Sequence, residues 1–267
     1  MNGEWSAIVL AGVRPRDDGF AAAYGVAAKA LIPVAGEAMV ARVVRTLLAS
    51  PSIGRIILLA QRLEPLRRGD LAWIDAEPGI SLAESESGIA RSVAACAGSA
   101  QAPFPLLVTT ADHALLTVEM VETFLAGSGG TDVAVGLVER GTLDAAYPDN
   151  ERTWLRFSDG AYSGANLFAL RTETARAGLE LWSSVEQDRK KARKLMLRFG
   201  PILALRALTR TISLDKAIAK ASSRLGFTAK PVRLPFAEAA IDVDKPSDLV
   251  LAEHILHRRE RVPKEKH

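Results

Sequence analysis

Four charged residues in this 267-residue chain stand where ionic chemistry could occur: Lys29, Asp112, Asp242 and Asp244. Asp112 lies just past the apolar run Leu106 to Thr110. A carboxylate in that place suits Mg2+, which takes one or two protein carboxylates plus phosphate oxygens. A turn or N-cap aspartate fits the same spacing equally well. Asp242 and Asp244 alternate within Ile241-Asp242-Val243-Asp244. On a strand they would point to one side and could complete a metal site, with Asp242 the expected ligand and Asp244 its support. The alternative for Asp244 is that it merely turns the chain into the last helix. Leu10, Ala11 and Gly12 end the first apolar run, and Arg14, Arg16 and Lys29 follow. Backbone N–H groups beside such cations suit a triphosphate, although a lone glycine after a buried strand is equally an ordinary turn. The four histidines (His113, His254, His257, His267) form no ligand pattern.

The elements that must position these residues alternate between strand-like and helix-like patterns, as in βαβ units with a largely parallel sheet. Ala7 to Ala11 is short, branched and unalternating, so it predicts a strand buried on both faces. Met39, Val43, Val44, Leu47 and Leu48 repeat at helical spacing within Ala38 to Leu48. Arg55 to Ala60, Leu71 to Ile74, Leu106 to Thr110, Asp132 to Val138, Asn166 to Leu170 and Ala239 to Val243 predict further strands. Helices are expected over Ile89 to Cys96, from an N-cap at Thr117 to Leu125, and over Pro246 to His257, with proline at the first position. Pro148, Asn150 and Asp159-Gly160 mark a turn-rich stretch. In such a sheet, ligands bind beyond the carboxyl ends of the strands. A single domain is expected over 1–257, with a helical insertion at about 172–226, broken near Gly200-Pro201, and a charged tail at 258–267.

Composition narrows the function classes. The formal charge is only +3 and aromatics make up 6% of the residues, which argues against a nucleic-acid binder. The single cysteine, Cys96, excludes an intrachain disulfide and fits a reducing cytoplasm. Trp5 to Gly12 is too short and lacks the basic flank of a signal peptide, and no run reaches the ~20 apolar residues of a membrane span. Arg189, Lys190, Lys191, Arg193, Lys194 and Arg198 cluster beside Leu195, Met196, Leu197, Phe199, Ile202 and Leu203. A solvated face, a homodimer interface, plain packing or peripheral membrane contact through 189–203 all fit that mixture. Trp154, Tyr162, Trp182 and Cys96 read as packing residues rather than a base-stacking set.

Five ordered segments carry a family resemblance: AIVLAG, KALIPVAGEAMVARVVRTLL, LVTTADHALLT, SGANLFAL and IDVDKPSDLVLAEHIL. Together they resemble the MobA-like nucleotidyltransferase superfamily, which includes molybdenum-cofactor guanylyltransferase and the sugar- and polyol-phosphate cytidylyltransferases. The likeness spans about residues 5–170 and 230–257. It implies a Rossmann-like, GT-A-type, three-layer α/β domain, an NTP (CTP or GTP favoured) and Mg2+. It sets Leu10, Ala11 and Gly12 against the nucleotide and Lys29 on the phosphates with Arg14 or Arg16. It assigns the metal to Asp112 and Asp242, base sensing to the region of Ser87, Gly88 and Ser92, and the acceptor to Gly164 and Asn166. Three departures stand out: Val13 replaces a second glycine, seventeen positions separate Gly12 from Lys29, and His113-Ala114 stands where a proline commonly follows the metal aspartate.

The expected reaction is in-line attack by a phosphate acceptor on the α-phosphorus of the NTP, expelling pyrophosphate. Lys29 and Arg16 would balance phosphate charge, and an anionic nucleophile needs no general base. Two rivals stand beside it. A GT-A glycosyltransferase would carry Asp-x-Asp at Asp112, where position 114 is alanine. A catalytically silent nucleotide-binding module would have no need of Lys29, Asp112 and Asp242 together.

Overall fold

A computed structural model describes residues 3–12, 18–85, 88–150, 152–186, 205–206 and 209–261. Strand β1 (Trp5–Leu10) lies inside the main sheet, paired in parallel with β4 (Ile53–Ala60) and β6 (Leu106–Thr110). Its unalternating sequence follows from burial on both faces. Ala7 and Val9 join one apolar cluster, while Ile8 joins a second on the opposite side.

Beyond β4 lies β5 (Ile80–Glu84), also parallel. On the other side of β6 the direction reverses in β9 (Gly160–Leu170), which is antiparallel to both β6 and β7 (Val133–Glu139). The edge strand β10 (Ala229–Arg233) runs parallel to β7, and the short β8 (Leu155–Phe157) pairs with β9 as a hairpin. The main path is therefore β10-β7-β9-β6-β1-β4-β5, a mixed and mostly parallel sheet. A separate ribbon joins β2 (Pro33–Val34) to β3 (Glu37–Ala38).

Helices cover both faces, giving three layers of the Rossmann-like kind. One face packs α2 (Met39–Ala49), α5 (Val118–Gly127) and α9 (Pro246–Arg261) through residues such as Val43, Phe124 and Ile255. The other packs α4 (Ile89–Cys96) and α7 (Arg176–Glu186) through Val93 and Leu179. Shorter helices are α1 (Asp18–Ala23), α3 (Ala72–Ala76) and α6 (Arg140–Ala146), and α8 (Leu214–Ser223) packs beside β10. Thr117 caps α5 as expected, its hydroxyl oxygen accepting from the Met120 N–H at 3.2 Å.

Two expectations are corrected. Leu71 to Ile74 is no strand but a 3-10 turn (Gly69–Leu71) leading into α3. Leu71 and Ile74 are buried three residues apart, with exposed Ala72 between them, which is a helical spacing. The strand in that part of the chain is β5. Ala239 to Val243 likewise forms no ladder: a 3-10 turn (Ala237–Ala240) is followed by extended chain. The helical block is represented by a 3-10 turn (Glu173–Ala175), α7 and α8; its basic cluster, the 189–203 membrane-contact segment and the Gly200-Pro201 break lie outside the described residues. Among the described residues, no helix is long and apolar enough to cross a membrane.

Candidate active site

The carboxyl ends of β1 and β6 stay in register one residue beyond the strands. The Ala11 N–H donates to Leu59 O at 2.8 Å, and the Ala111 N–H to Leu10 O at 2.9 Å. Asp112 then projects from the turn after β6, and the Thr110 hydroxyl donates to its Oδ1. Lys29 arrives from a distant loop, at the start of a 3-10 turn (Lys29–Leu31) anchored by buried Ala30 and Ile32. Its Nζ donates to Asp112 Oδ2 at 2.6 Å and also to Asp244 Oδ1. Burial alone would lower the lysine pKa, but Asp112 and Asp244 outweigh it and hold the ammonium well above the ordinary range. Burial would raise Asp112 in turn, and Lys29 and Thr110 hold it below the usual carboxylate value.

The other two carboxylates come from the extended chain after Ala237–Ala240. Ile241 and Val243 are fully buried, which throws Asp242 and Asp244 to the opposite side. The Val243 N–H donates to Asp112 O at 3.1 Å and ties this segment to the end of β6. Asp242 accepts from Arg152 Nη1 at 2.6 Å through Oδ1, and from Asn166 Nδ2 at 3.2 Å through Oδ2. Asn166 reaches it because its backbone is left-handed (φ +50°) at the register shift between β7 and β9, a conformation asparagine tolerates better than most residues. Burial, then the charges of Asp244 and Asp112, raise Asp242 to about 6 against the pull of Arg152 and Asn166. One oxygen from each of Asp112, Asp242 and Asp244 lies within 4.8 Å of the others. Counting Asp248, which also pairs with Arg152, four carboxylates surround two cations, an excess of two negative charges.

Beside this cluster a cleft of about 540 Å3 opens at the ends of β1 and β4, lined by Ala11, Ala28, Ala30, Ala60, Gln61 and Arg62 among others. Gly12 borders Gln61: a Cβ there would come 2.9 Å from the glutamine amide nitrogen.

The structure thus brings together Lys29, Asp112, Asn166, Asp242 and Asp244, five of the residues singled out in the sequence, with Ala11 in the adjoining cleft wall. Leu10 ends β1 half-buried. Gly88 adopts φ +109° at the entry to α4, and the buried Ser92 hydroxyl donates to Gly88 O at 2.8 Å. Gly164 is exposed on β9 opposite Leu137, with open space above it. Arg14, Arg16 and Ser87 lie outside the described residues. Trp154, Tyr162 and Trp182 are engaged in contacts with Arg140, Arg233 and Phe168 respectively. Burial pushes the Cys96 thiol up to about 11, and its Sγ donates back into α4. Sequence reasoning missed Arg152 and Asp248. Charge balance could have pointed to a cation such as Arg152, since clustered aspartates require one when buried; nothing in the sequence marks Asp248 as its partner.

A hypothetical transferase from Thermus thermophilus is 27% identical with TM-score 0.75, over 93% of this chain and 100% of that one. A 4-diphosphocytidyl-2C-methyl-D-erythritol synthase from Anaerococcus prevotii DSM 20548 shares the fold at 12% identity and TM-score 0.56, over 96% of this chain and 97% of that one. So does a CMP:2-keto-3-deoxy-manno-octonic acid synthetase solved with CTP, at 14% identity and TM-score 0.57, over 96% and 100%. No curated protein matches the chain. Residues 7–198, most of the chain and nearly all of the span from β1 through β9, match the MobA-like NTP transferase domain, and the protein belongs to that nucleotidyltransferase family.

Proposed function

We propose that the protein transfers a nucleoside monophosphate from an NTP, CTP or GTP by preference, to a phosphorylated small-molecule acceptor. An acceptor phosphate oxygen forms a bond to the α-phosphorus, the bond from that phosphorus to the bridging oxygen breaks, and pyrophosphate leaves with the electron pair. The convergence of Lys29 with Asp112, Asp242 and Asp244 at the carboxyl end of the sheet carries this conclusion.

The donor set fits Mg2+. It is all carboxylate oxygen, the kind of ligand that hard divalent cations take, and its excess of two negative charges matches one such ion. Asp112 and Asp242 would hold it, with Asp244 alongside. When bound, Mg2+ supplies charge neutralisation and orientation of the phosphate oxygens. Lys29 balances negative charge on the triphosphate, with Arg16 or Arg14 expected from the loop after Gly12. Backbone groups of Leu10 to Gly12 border the nucleotide, the alanine-lined cleft takes its base, and the region of Ser87, Gly88 and Ser92 senses that base. Gly164 and Asn166 face the acceptor. The nucleophile is already anionic, so a general base is unnecessary. In keeping with this, His113 is buried and its pKa is lowered by that burial to about 4.

The test is pyrophosphate release with each of the four NTPs, Mg2+ and candidate phosphorylated acceptors. Lys29→Ala should reduce turnover by about two to three orders of magnitude, the scale of losing one preorganised electrostatic contact. Near-normal release by that variant would overturn the assignment.

A further inference from the structure

Arg152 belongs to no motif and comes from the turn-rich stretch before β8. Its side chain is nevertheless only 9% exposed. Its two terminal nitrogens bond to the segments that present the acidic cluster. Nη1 donates to Asp242 Oδ1 at 2.6 Å, and Nη2 reaches Asp242 O at 3.4 Å and Asp248 Oδ1 at 3.3 Å. Nε donates to Asn150 Oδ1 at 2.8 Å, which fixes the plane of the guanidinium. Asp248 is buried in the first turn of α9, and its other oxygen accepts the backbone N–H groups of Asp244 at 3.1 Å and Lys245 at 3.2 Å. The arginine and the aspartate therefore form a closed frame around residues 242–245, the stretch that carries two of the three clustered carboxylates.

From this geometry we infer that Arg152 is a positioning residue for divalent-cation binding: with Asp248 it clamps the Asp242–Asp244 segment so that both carboxylates face Asp112. The inference rests on the metal-dependent reading given above. Arg152 touches neither the cation nor the triphosphate in this role; it acts through Asp242. A planar fork is needed, because one group must serve Asp242 and Asp248 at once, and lysine offers a point charge without that geometry.

The experiment measures Mn2+ affinity of the full chain by electron paramagnetic resonance, without nucleotide, for the wild type and for Arg152→Lys, Asp248→Asn and Asp112→Asn. Mn2+ serves as the probe because it takes the same oxygen ligands as Mg2+. Melting temperatures in EDTA establish that each variant is folded. Arg152→Lys should weaken Mn2+ binding by roughly tenfold or more, as loss of a supporting partner of a metal ligand does. Asp248→Asn should weaken it several-fold although Asp248 is outside the cluster, and a purely structural role would lower melting temperature without moving Mn2+ affinity. Unchanged Mn2+ affinity in Arg152→Lys, with affinity lost in Asp112→Asn, overturns the positioning role and leaves the proposed reaction standing. Unchanged Mn2+ affinity with a raised KM for the phosphorylated acceptor overturns it in favour of direct substrate contact. If Asp112→Asn also binds Mn2+ normally, the metal site falls and the positioning role with it. Should Arg152→Lys prove unfolded, Asp248→Asn alone decides, since it breaks the same frame from the other side.

Discussion

The alanine-lined cleft and the acidic cluster adjoin at the ends of β1 and β6 but are built by opposite means. The cleft is made largely of small apolar side chains, which satisfy no charge and cost the fold little. The cluster gathers like charges at the edge of the core and is held only because Lys29 and Arg152 are gathered with them. On the proposed function, one region selects by the space it leaves and the other by the charge it lacks. Local rules of folding are broken in the second alone, which is where departures from them mark function.

Four experiments would break or sharpen that contrast. Asp112→Asn should cost the most, lowering kcat by about a thousandfold or more while leaving the cleft intact; steady-state pyrophosphate release checks it, and comparable KM values for the NTP would show the cleft unaffected. Filling the cleft at exposed Ala27 by Ala27→Leu should do the reverse, raising the KM for the NTP roughly tenfold with Mn2+ binding unchanged, a difference of about 1.4 kcal/mol. Between these two in size is the effect of the cation itself. At a hundredfold excess over its Kd, Mg2+ should stabilise the fold by about 2.7 kcal/mol in thermal denaturation, and Asp112→Asn should abolish that gain.

The smallest effect belongs to a carboxylate with a purely structural task. Glu122 lies at the amino end of β4, where the Ser50 and Ser52 hydroxyls and the Ser52 N–H donate to it. Burial would raise its pKa, yet those donors hold it below the ordinary glutamate value. Its contribution is therefore present above the unfolded pKa and lost as pH falls through the folded one. Glu122→Gln should lower stability by about 1 kcal/mol near neutral pH, and by less as the medium is acidified through the carboxylate range. Melting curves against pH would show it, and turnover should not change.

Much of this architecture could be read from the residues, because burial leaves periodic marks. Strands β1, β4, β6 and β7 are apolar runs bounded by polar or small residues, and α2, α4 and α5 repeat at helical spacing. Asp112 was legible as an acid placed just past such a strand. The segment before α9 shows where periodicity misleads: Ile241 and Val243 alternate with two aspartates as a strand would, but Val243 bonds to Asp112 rather than to a neighbouring strand. β10 was hidden by Pro231, a residue tolerated there because the strand is at the edge of the sheet. Lys29 was legible only as one of three cations after the first strand, and the resemblance singled it out, since seventeen positions separate it from Gly12. Arg152 was invisible for a related reason: its importance lies in partners 90 and 96 positions away.

The reversal of β9 has a consequence for how the site can change. Because this strand runs against β6 and β7, its first half lies at the reactive rim, while its second half is stitched into the middle of the sheet. The short connection from β8 at Ser158-Asp159 leads directly into that first half. Because Asn166 on β9 and Arg152 just before β8 both bond to Asp242, altering the β8–β9 hairpin would reach the carboxylates of the chain before α9 as well as the rim. On the proposed reaction, acceptor choice and cation binding are therefore coupled through one hairpin.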